Sequence, residues 1–295
     1  EDGSATDSQL FMYVGTKTTE GTFADKAGLT NGDVHVMTIA DVANDNAFRA
    51  KYGKNKAVDV TFTKTIWDAD MKTQQVDHAA KGTEMSRVED GEWDPSNPNV
   101  FYFVTTESNK DPGATKPNPA TPSVSRDGGG LWRLTFVDGQ KPELGAKLEL
   151  LLDGSEEPYL SKPDNMAVTA DGIVLLQEDP GNNAHVARII AFRPKDGKLA
   201  VVAQFNPEYF ATGAPSFMTI DEESSGIIDV TSMHAKAGDT NKYFYFNAQV
   251  HTTGAYTARP DLTTKSKNGI LKFNQKTLEG GAFYKLTISD WKTVF

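Results

Sequence analysis

Short apolar runs separated by turn residues dominate the chain, and helical periodicity is nowhere sustained over a long stretch. Residues 131–136 form one such run, which is followed by Val-Asp-Gly-Gln and by a second apolar run at 148–152. Strand, turn and strand in this order is the pattern of an antiparallel hairpin. The pattern recurs at 188–205, and again where residues 270–273 lead through a Gly-Gly turn into 283–288.

Hairpins of one style spread along a chain favour a radially repeated antiparallel architecture over alternating strands and helices. Propeller blades are about 45 residues long, so a chain of 295 residues accommodates roughly six of them. We therefore predict an all-β protein, a single six-bladed β-propeller domain over residues 1–295. Four prolines within 108–126 predict a long surface loop there, because proline lacks the backbone donor that a central strand needs.

Acidic residues are concentrated just before or after several of the predicted strands. Residues 87–95 hold four carboxylates and one arginine, directly before the apolar run 100–104. Carboxylates this close repel one another unless they are solvated, paired with cations or gathered round a metal. Two later stretches echo the first, since Glu178 lies 89 residues after Glu89 and Glu223 lies 45 residues after Glu178. These intervals are close to the lengths of two propeller blades and of one blade.

The innermost strands of a propeller surround a central channel, so acids far apart in sequence can meet at its mouth. Calcium takes roughly six to eight oxygen ligands in flexible geometry. We predict a central metal site from Glu89, Asn165, Glu178 and Glu223. The alternative, that each is a solvated turn residue, stays open. The shorter groups at 44–46 and 68–70 lack the glycine and glutamate of an EF-hand loop and are predicted to be turns.

The amino-acid composition excludes several classes of function. A net charge of −10 argues against a nucleic-acid partner, whose phosphates would be repelled, and suits cation binding. No stretch approaches the roughly 18 to 20 apolar residues of a membrane span. The absence of cysteine removes disulfides, thiolate catalysis and cysteine zinc sites. Because the chain begins at Glu1 rather than at Met, we expect a removed leader and a periplasmic or secreted location.

The five histidines include no pair at helical metal-binding spacing. His251 is the candidate among them, because it ends the apolar run 243–250 and is followed by two threonines. An ordinary histidine at a strand end is the alternative interpretation.

Seven short motifs, in their order along the chain, resemble the PhoX-type alkaline phosphatase family. They are Tyr-Val-Gly-Thr-Lys at 13–17, Ala-Gly-Leu-Thr-Asn-Gly at 27–32, Arg-Val-Glu-Asp-Gly at 87–91, Asp-Asn at 164–165, Gln-Glu-Asp at 177–179, Glu-Ser-Ser-Gly at 223–226 and Ala-Gln-Val-His at 248–251. The resemblance spans most of the chain. It implies a six-bladed propeller with calcium, and in the characterised phosphatases also iron, at the channel mouth, where phosphate monoesters are hydrolysed.

Two residues match the family's motifs individually. Glu89 corresponds to the glutamate of an Arg-Pro-Glu motif, with Val88 in place of proline, and Glu223 corresponds to the acid of a Glu-x-x-Gly motif. The characterised phosphatases are considerably longer and hold iron with a cysteine, which this chain lacks. The resemblance therefore carries calcium over to this chain, but not the iron centre.

These observations predict a calcium-dependent hydrolase that acts on small phosphorylated substrates. In this prediction Arg87 holds a phosphoryl oxygen through its guanidinium fork and His251 serves as acid or base. Two alternatives stay open. In the first, the chain is a non-catalytic extracellular or surface module that is stabilised by calcium and binds an unknown surface partner. In the second, it is a lactonase-like or esterase-like hydrolase that shares the metal but not the phosphate specificity.

Overall fold

A computed structural model of the protein describes residues 8–107, 128–179, 185–251 and 280–295. These residues fall into two compact units. The first holds residues 8–107 and 129–153, and the second holds the described residues from 154 onward. The prediction of one domain over 1–295 stays a prediction.

One antiparallel sheet of seven strands forms the first unit, in the order β1-β2-β3-β7-β6-β5-β4. Burial alternates along β3, as expected when one face of a sheet is buried, whereas β5 is buried along most of its length. Its core includes Phe48, Phe103 and Trp132, none more than 1% exposed. The strands are β1 (Phe11–Val14), β2 (Asp33–Thr38), β3 (Val58–Lys64), β4 (Val88–Trp93), β5 (Val100–Thr105), β6 (Gly130–Phe136) and β7 (Ala146–Leu152).

Helices α1 (Phe23–Lys26), α2 (Asp45–Tyr52) and α3 (Met71–Lys81) also belong to this unit.

The prediction that 44–46 and 68–70 are turns was wrong for the first group and incomplete for the second. Asn44 and Asp70 are helix N-caps, whose side chains accept hydrogen bonds from the N–H groups of Ala47 and Thr73. Short polar side chains stabilise turns and helix starts by the same bond, so local sequence does not separate the two.

The second unit contains two antiparallel sheets. The first is a meander of four strands between residues 163 and 204, ordered β11-β10-β9-β8, which is the make-up of one propeller blade. The second has the order β12-β13-β14. Their strands are β8 (Pro163–Val168), β9 (Val174–Glu178), β10 (Arg188–Arg193), β11 (Lys198–Gln204), β12 (Glu222–Asp229), β13 (Lys242–Val250) and β14 (Gly280–Ile288).

Apolar side chains of both sheets, among them Leu175, Ile189 and Phe244, form one core in this unit. Two short helices, α4 (Pro207–Phe210) and α5 (Thr231–His234), connect its strands.

Two side chains tie β12 to the meander. Asn165 accepts a hydrogen bond from the N–H of Gly226, and Gln177 accepts one from the N–H of Ile227.

The all-β prediction is confirmed, and so are two of the predicted hairpins. Strand β6 pairs with β7, and β10 pairs with β11, both antiparallel. The predicted strand at 270–273 and the predicted proline-rich loop at 108–126 lie outside the described residues. In the part of the chain that the structure describes, no helix has the length and apolar character needed to cross a membrane.

Candidate active site

Glu223, near the start of β12, is the centre of an acidic cluster in the second unit. Asp179, which follows β9, is hydrogen-bonded to its carboxyl group, and Asp164 of β8 is close enough to act on it electrostatically. His251 follows β13, and its Nε2 lies 3.7 Å from Oε1 of Glu223. Three other segments, separated in sequence, therefore converge on the carboxyl group of Glu223.

Strand pairing explains this convergence. Strands β12 and β13 are antiparallel with Glu223 opposite Gln249, so His251, two residues further along, lies on the same face as Glu223. Beyond the last strand pair, the His251 N–H donates to Asp221 O at 2.9 Å, and Thr219 Oγ1 donates to the His251 carbonyl at 2.8 Å. These bonds fix the histidine at the end of the strand.

Burial and the neighbouring acids raise the pKa of Glu223 to about 8. Burial is the largest cause, and the hydrogen bond and negative charge of Asp179 add to it, while the charge of His251 acts in the opposite direction. Carboxyl groups this close cannot all be ionised without a positive partner. The cluster must therefore retain a proton or acquire a cation.

The oxygen chemistry of this cluster suits a hard cation, but the ligand set is partial. Within the described ranges, no group of three or more His, Asp or Glu side chains is assembled closely enough to hold a metal ion. The cluster therefore provides the type of ligand that calcium prefers, without a complete coordination shell.

Glu222 points to the other face of β12 and was not among the predicted site residues. It is 1% exposed, and its Oε1 accepts a hydrogen bond from the N–H of Ala187 at 2.8 Å. Among the described residues its Oε2 has no hydrogen-bond partner. Burial raises the pKa of Glu222 to about 7.

Glu178, a predicted metal ligand, lies at the end of β9 in a cage of hydrogen-bond donors. Arg188 binds it in a bidentate pair, from Nε to Oε2 at 3.0 Å and from Nη2 to Oε1 at 2.7 Å. His185 Nε2 lies 3.1 Å from Oε2, and the Ser161 N–H donates to Oε1 at 2.9 Å. Complete burial would raise the pKa of Glu178, but the bonds from His185 and Arg188 outweigh it and hold the pKa below its usual value.

Asn165, another predicted ligand, lies in β8 beside the cluster. Its Oδ1 accepts the N–H of Gly226, which has a φ of +62° at a bulge in β12. Its Nδ2 donates to Asp164 Oδ2 at 3.0 Å. The amide thus ties two strands that carry the acidic cluster and orients one of its carboxylates.

Arg87 and Glu89 lie in the first unit, at the start of β4. Arg87 Nη2 is 3.2 Å from Glu89 Oε1, and its Nη1 is 3.7 Å from Glu107 Oε1. The backbone of Arg87 is left-handed, with a φ of +55°. Non-glycine residues hold such a conformation at a cost of about 1–3 kcal/mol, and they are concentrated at functional sites.

The six predicted residues are thus divided between the two units, and their union in one site stays a prediction. In the second unit the structure brings Glu223 and His251 within 3.7 Å of each other, and their roles stay predictions. Sequence reasoning missed Asp164 and Asp179, although each adjoins a predicted ligand in the chain. It also missed Arg188 and His185, for which no local motif gave a signal.

A model of the family "Alkaline phosphatase PhoX" matches residues 1–247, which is most of the chain. The chain belongs to the PhoX alkaline phosphatase family. No curated protein shows significant similarity to it. The described fold is similar to that of a solved structure, Pseudomonas fluorescens PhoX in complex with vanadate, a transition state analogue, with a TM-score of 0.51 and 11% sequence identity.

That match covers 98% of this chain and 52% of the solved one, so the chain spans about half the length of the PhoX protein that it resembles. At this level of identity the match shows the fold, which is the propeller-like all-β fold predicted from the hairpins. The number of blades stays a prediction.

Proposed function

We propose that this member of the PhoX family is a metal-dependent hydrolase of phosphate esters that binds calcium at the Glu223 cluster. The observation that carries the proposal is the contact of Glu223 with Asp179, beside Asp164, in a site that leaves the pKa of Glu223 at about 8. A cation at this position would remove the repulsion and let the carboxyl groups ionise together. Family membership supports the reaction class.

Asp164, Asp179 and Glu223 are the ligands that the second unit offers, and Glu89 of the first unit stays a predicted fourth. Asn165 and Glu178 already use their oxygens to accept hydrogen bonds, which a cation would have to displace. Their assignment as ligands remains a prediction, and a role in positioning the cluster follows from their present contacts.

Asp164, Asp179 and Glu223 would hold the calcium ion, which would supply Lewis acidity to polarise a phosphoryl oxygen and offset charge in the transition state. His251 lies beside Glu223 at a strand end. In this proposal its ring nitrogen holds or transfers the proton of the leaving alcohol. Arg87 offers a guanidinium fork, the geometry that binds phosphoryl oxygens. The proposed substrate is a small phosphorylated molecule, and the proposed location is periplasmic or secreted, as the family resemblance implies.

The reaction class is tested by assaying the purified protein with p-nitrophenyl phosphate and bis-p-nitrophenyl phosphate over a range of calcium concentrations, with iron added separately. We expect calcium-dependent release of p-nitrophenol, and Glu223→Gln should abolish it while the protein stays folded by circular dichroism. Absence of turnover with every metal would contradict the enzyme proposal and favour a binding module. Hydrolysis confined to a lactone or a carboxylic ester would favour the third alternative.

Calcium binding is tested separately, by calorimetric titration and by melting in calcium and in chelator. A ligand that binds only the folded state stabilises it by about 2.7 kcal/mol at a hundredfold excess over its Kd. We expect Glu223→Gln to lose most of this stabilisation. If the spacing of about 45 residues marks one site, Glu89→Gln and Glu178→Gln should weaken the same binding event.

Glu208→Gln, at an exposed glutamate of the second unit, is the matched control and should titrate like the parent. If Glu223→Gln also titrates like the parent, the cluster does not bind calcium.

A further inference from the structure

A pocket of about 490 Å³ lies in the second unit, on the opposite side of the β12–β13 pair from Glu223. Ser224 and Ala248 face each other across the two strands and line this pocket. Glu223 and Gln249, the neighbouring pair, point to the other face because side chains alternate along a strand. The pocket is therefore separate from the acidic cluster, and nothing in the proposed hydrolysis uses it.

Aromatic rings on two sides give the pocket its apolar character. Phe205 and Phe210 meet edge to face, with centroids 5.2 Å apart. Phe246 and Tyr284 stack at 5.4 Å. All four rings line the cavity, together with Tyr209. Rings already packed against each other lose little freedom when a ligand enters, and the volume lies within the range of small-molecule sites, about 300–1,000 Å³.

Ser224 is the buried polar residue of the pocket lining, which also contains the exposed Gln204 and Asn206. It is 2% exposed, and its Oγ has no hydrogen-bond partner in the part of the chain that the structure describes. A buried hydroxyl without a partner costs free energy that a ligand with a matching polar group recovers. The hydroxyl therefore specifies one hydrogen-bonding group on an otherwise apolar ligand.

The charges around the pocket exclude an anionic ligand. Arg188 is the only charged residue among the described residues that line it. Its guanidinium is already engaged by Glu178 and by the carbonyl oxygens of Pro158 and Tyr159, at 2.9 Å each. The arginine thus contributes its aliphatic stem to the wall, and the described part of the lining offers no other cation to a phosphate or carboxylate.

We propose that this pocket binds a neutral aromatic small molecule, with its rings between the two aromatic walls and a single hydrogen-bonding group directed at Ser224 Oγ. The site is independent of phosphate hydrolysis. It would make the protein a receptor for an uncharged aromatic compound as well as a hydrolase.

N-phenyl-1-naphthylamine is a suitable probe because it is neutral, contains two aromatic groups and has one N–H donor. Its fluorescence rises in an apolar site, so titration of the full chain gives a Kd. We expect saturable binding with one site, in calcium and in chelator alike. Glu223→Gln should bind the probe as the parent does, which separates failure of this site from failure of the proposed hydrolase.

Ala203→Phe fills the pocket from β11 and should abolish binding. Val201→Phe is the matched control, because it adds the same ring to the same strand at an exposed position outside the lining. Ser224→Ala should weaken binding about 3-fold to 10-fold, the effect of losing one net hydrogen bond. It changes little volume, so it keeps the test valid if the larger variant does not fold.

1-Anilinonaphthalene-8-sulfonate differs from the probe by its sulfonate and should bind at least tenfold more weakly. Equal binding of both compounds would overturn the assignment to neutral ligands. Absence of saturable binding, or binding that Ala203→Phe and Ser224→Ala both leave unchanged, would overturn the site.

Discussion

Two glutamates of the second unit have opposite electrostatics, and the more deeply buried of the two is the one whose pKa is lowered. Glu178 is fully buried and receives N–H donors from Arg188, His185 and a backbone amide, and its pKa is lowered. Glu223 has a side chain 16% exposed and meets Asp179 and Asp164, and its pKa rises to about 8. The nature of the neighbours, rather than the degree of burial, decides which carboxyl group is ionised.

The difference separates a carboxyl group that the protein's own donors satisfy from one that meets other acids. The cage around Glu178 provides its own positive charge, so an additional cation gains little there. At the Glu223 cluster the charges of Asp179 and Asp164 raise the pKa and that of His251 opposes them, so a cation there relieves a repulsion. This contrast leads us to place the proposed metal at Glu223, although the spacing pattern predicted both glutamates as ligands.

The largest effect is expected from removing Arg188, the cation that binds Glu178. Arg188→Met keeps the aliphatic stem but leaves Glu178 buried without its bidentate partner. Breaking a buried ion pair from one side costs about 3–5 kcal/mol, and we expect a loss of unfolding free energy of that order in urea titrations. The double variant Arg188→Met, Glu178→Leu should recover much of the loss, because the uncompensated charge is gone.

Arg193→Met, at the other end of β10, is the matched control. Arg193 pairs with Asp196 at 2.7 Å and lies over the ring of Phe295, and both contacts are near the surface. Its loss should cost far less than that of Arg188. If the two variants lose the same stability, the cage is not a special feature of the fold.

A pH series distinguishes the two glutamates by the sign of their effect. The folded pKa of Glu223, about 8, lies above its ordinary value of 4.5, so the folded state keeps a proton that the unfolded state releases. When a chelator removes calcium, the contribution of Glu223 to the unfolding free energy is fully present below pH 4.5 and is lost as the pH rises to about 8. Glu178 acts in reverse, and its contribution is lost as the pH falls below 4.5.

Unfolding free energies of the parent and Glu223→Gln between pH 5 and 8 measure this effect. The variant should show a smaller decline with pH, and calcium should reduce the decline in the parent. Glu222, with a pKa raised to about 7, adds a decline of the same sign to both proteins, so the difference between them isolates Glu223. Parallel curves would show that Glu223 is not perturbed.

The smallest expected effect concerns the hydrogen bond by which Asn165 links β8 to β12. Asn165→Ala removes the hydrogen bond to the Gly226 N–H, and we expect a loss of about 1 kcal/mol in unfolding free energy. The calcium-dependent rise in melting temperature should persist, because the amide oxygen is engaged within the protein. If that rise disappears as in Glu223→Gln, Asn165 is a metal ligand after all.

Local patterns predicted the strands well. The hairpins β6–β7 and β10–β11 occur where apolar runs flank Asp-Gly turns, because both the run and the turn depend on neighbouring residues only. Helix α3 was missed because its eleven residues lack buried positions and so show no apolar stripe.

The candidate site was predicted at the level of chain segments. Sequence reasoning identified the segments 164–165, 177–179 and 223–226 and selected Asn165 and Glu178 within the first two, whereas the structure places Asp164 and Asp179 beside Glu223. The assignment of Asn165 and Glu178 as ligands stays a prediction. Adjacent side chains of a strand point to opposite faces, so a choice between neighbours depends on what lies against each face.

What the sequence by itself determined is therefore the class of fold, the family and the chain segments that carry the chemistry, since all three are expressed in patterns of a few residues. Only the tertiary structure decided which carboxyl group in each segment meets another acid and which meets an arginine. Arg188 stands ten residues from Glu178 in the chain, and Asp179 stands 44 residues from Glu223. Charge interactions act through space over a few ångströms, so folding, rather than sequence order, sets the protonation and the role of each group.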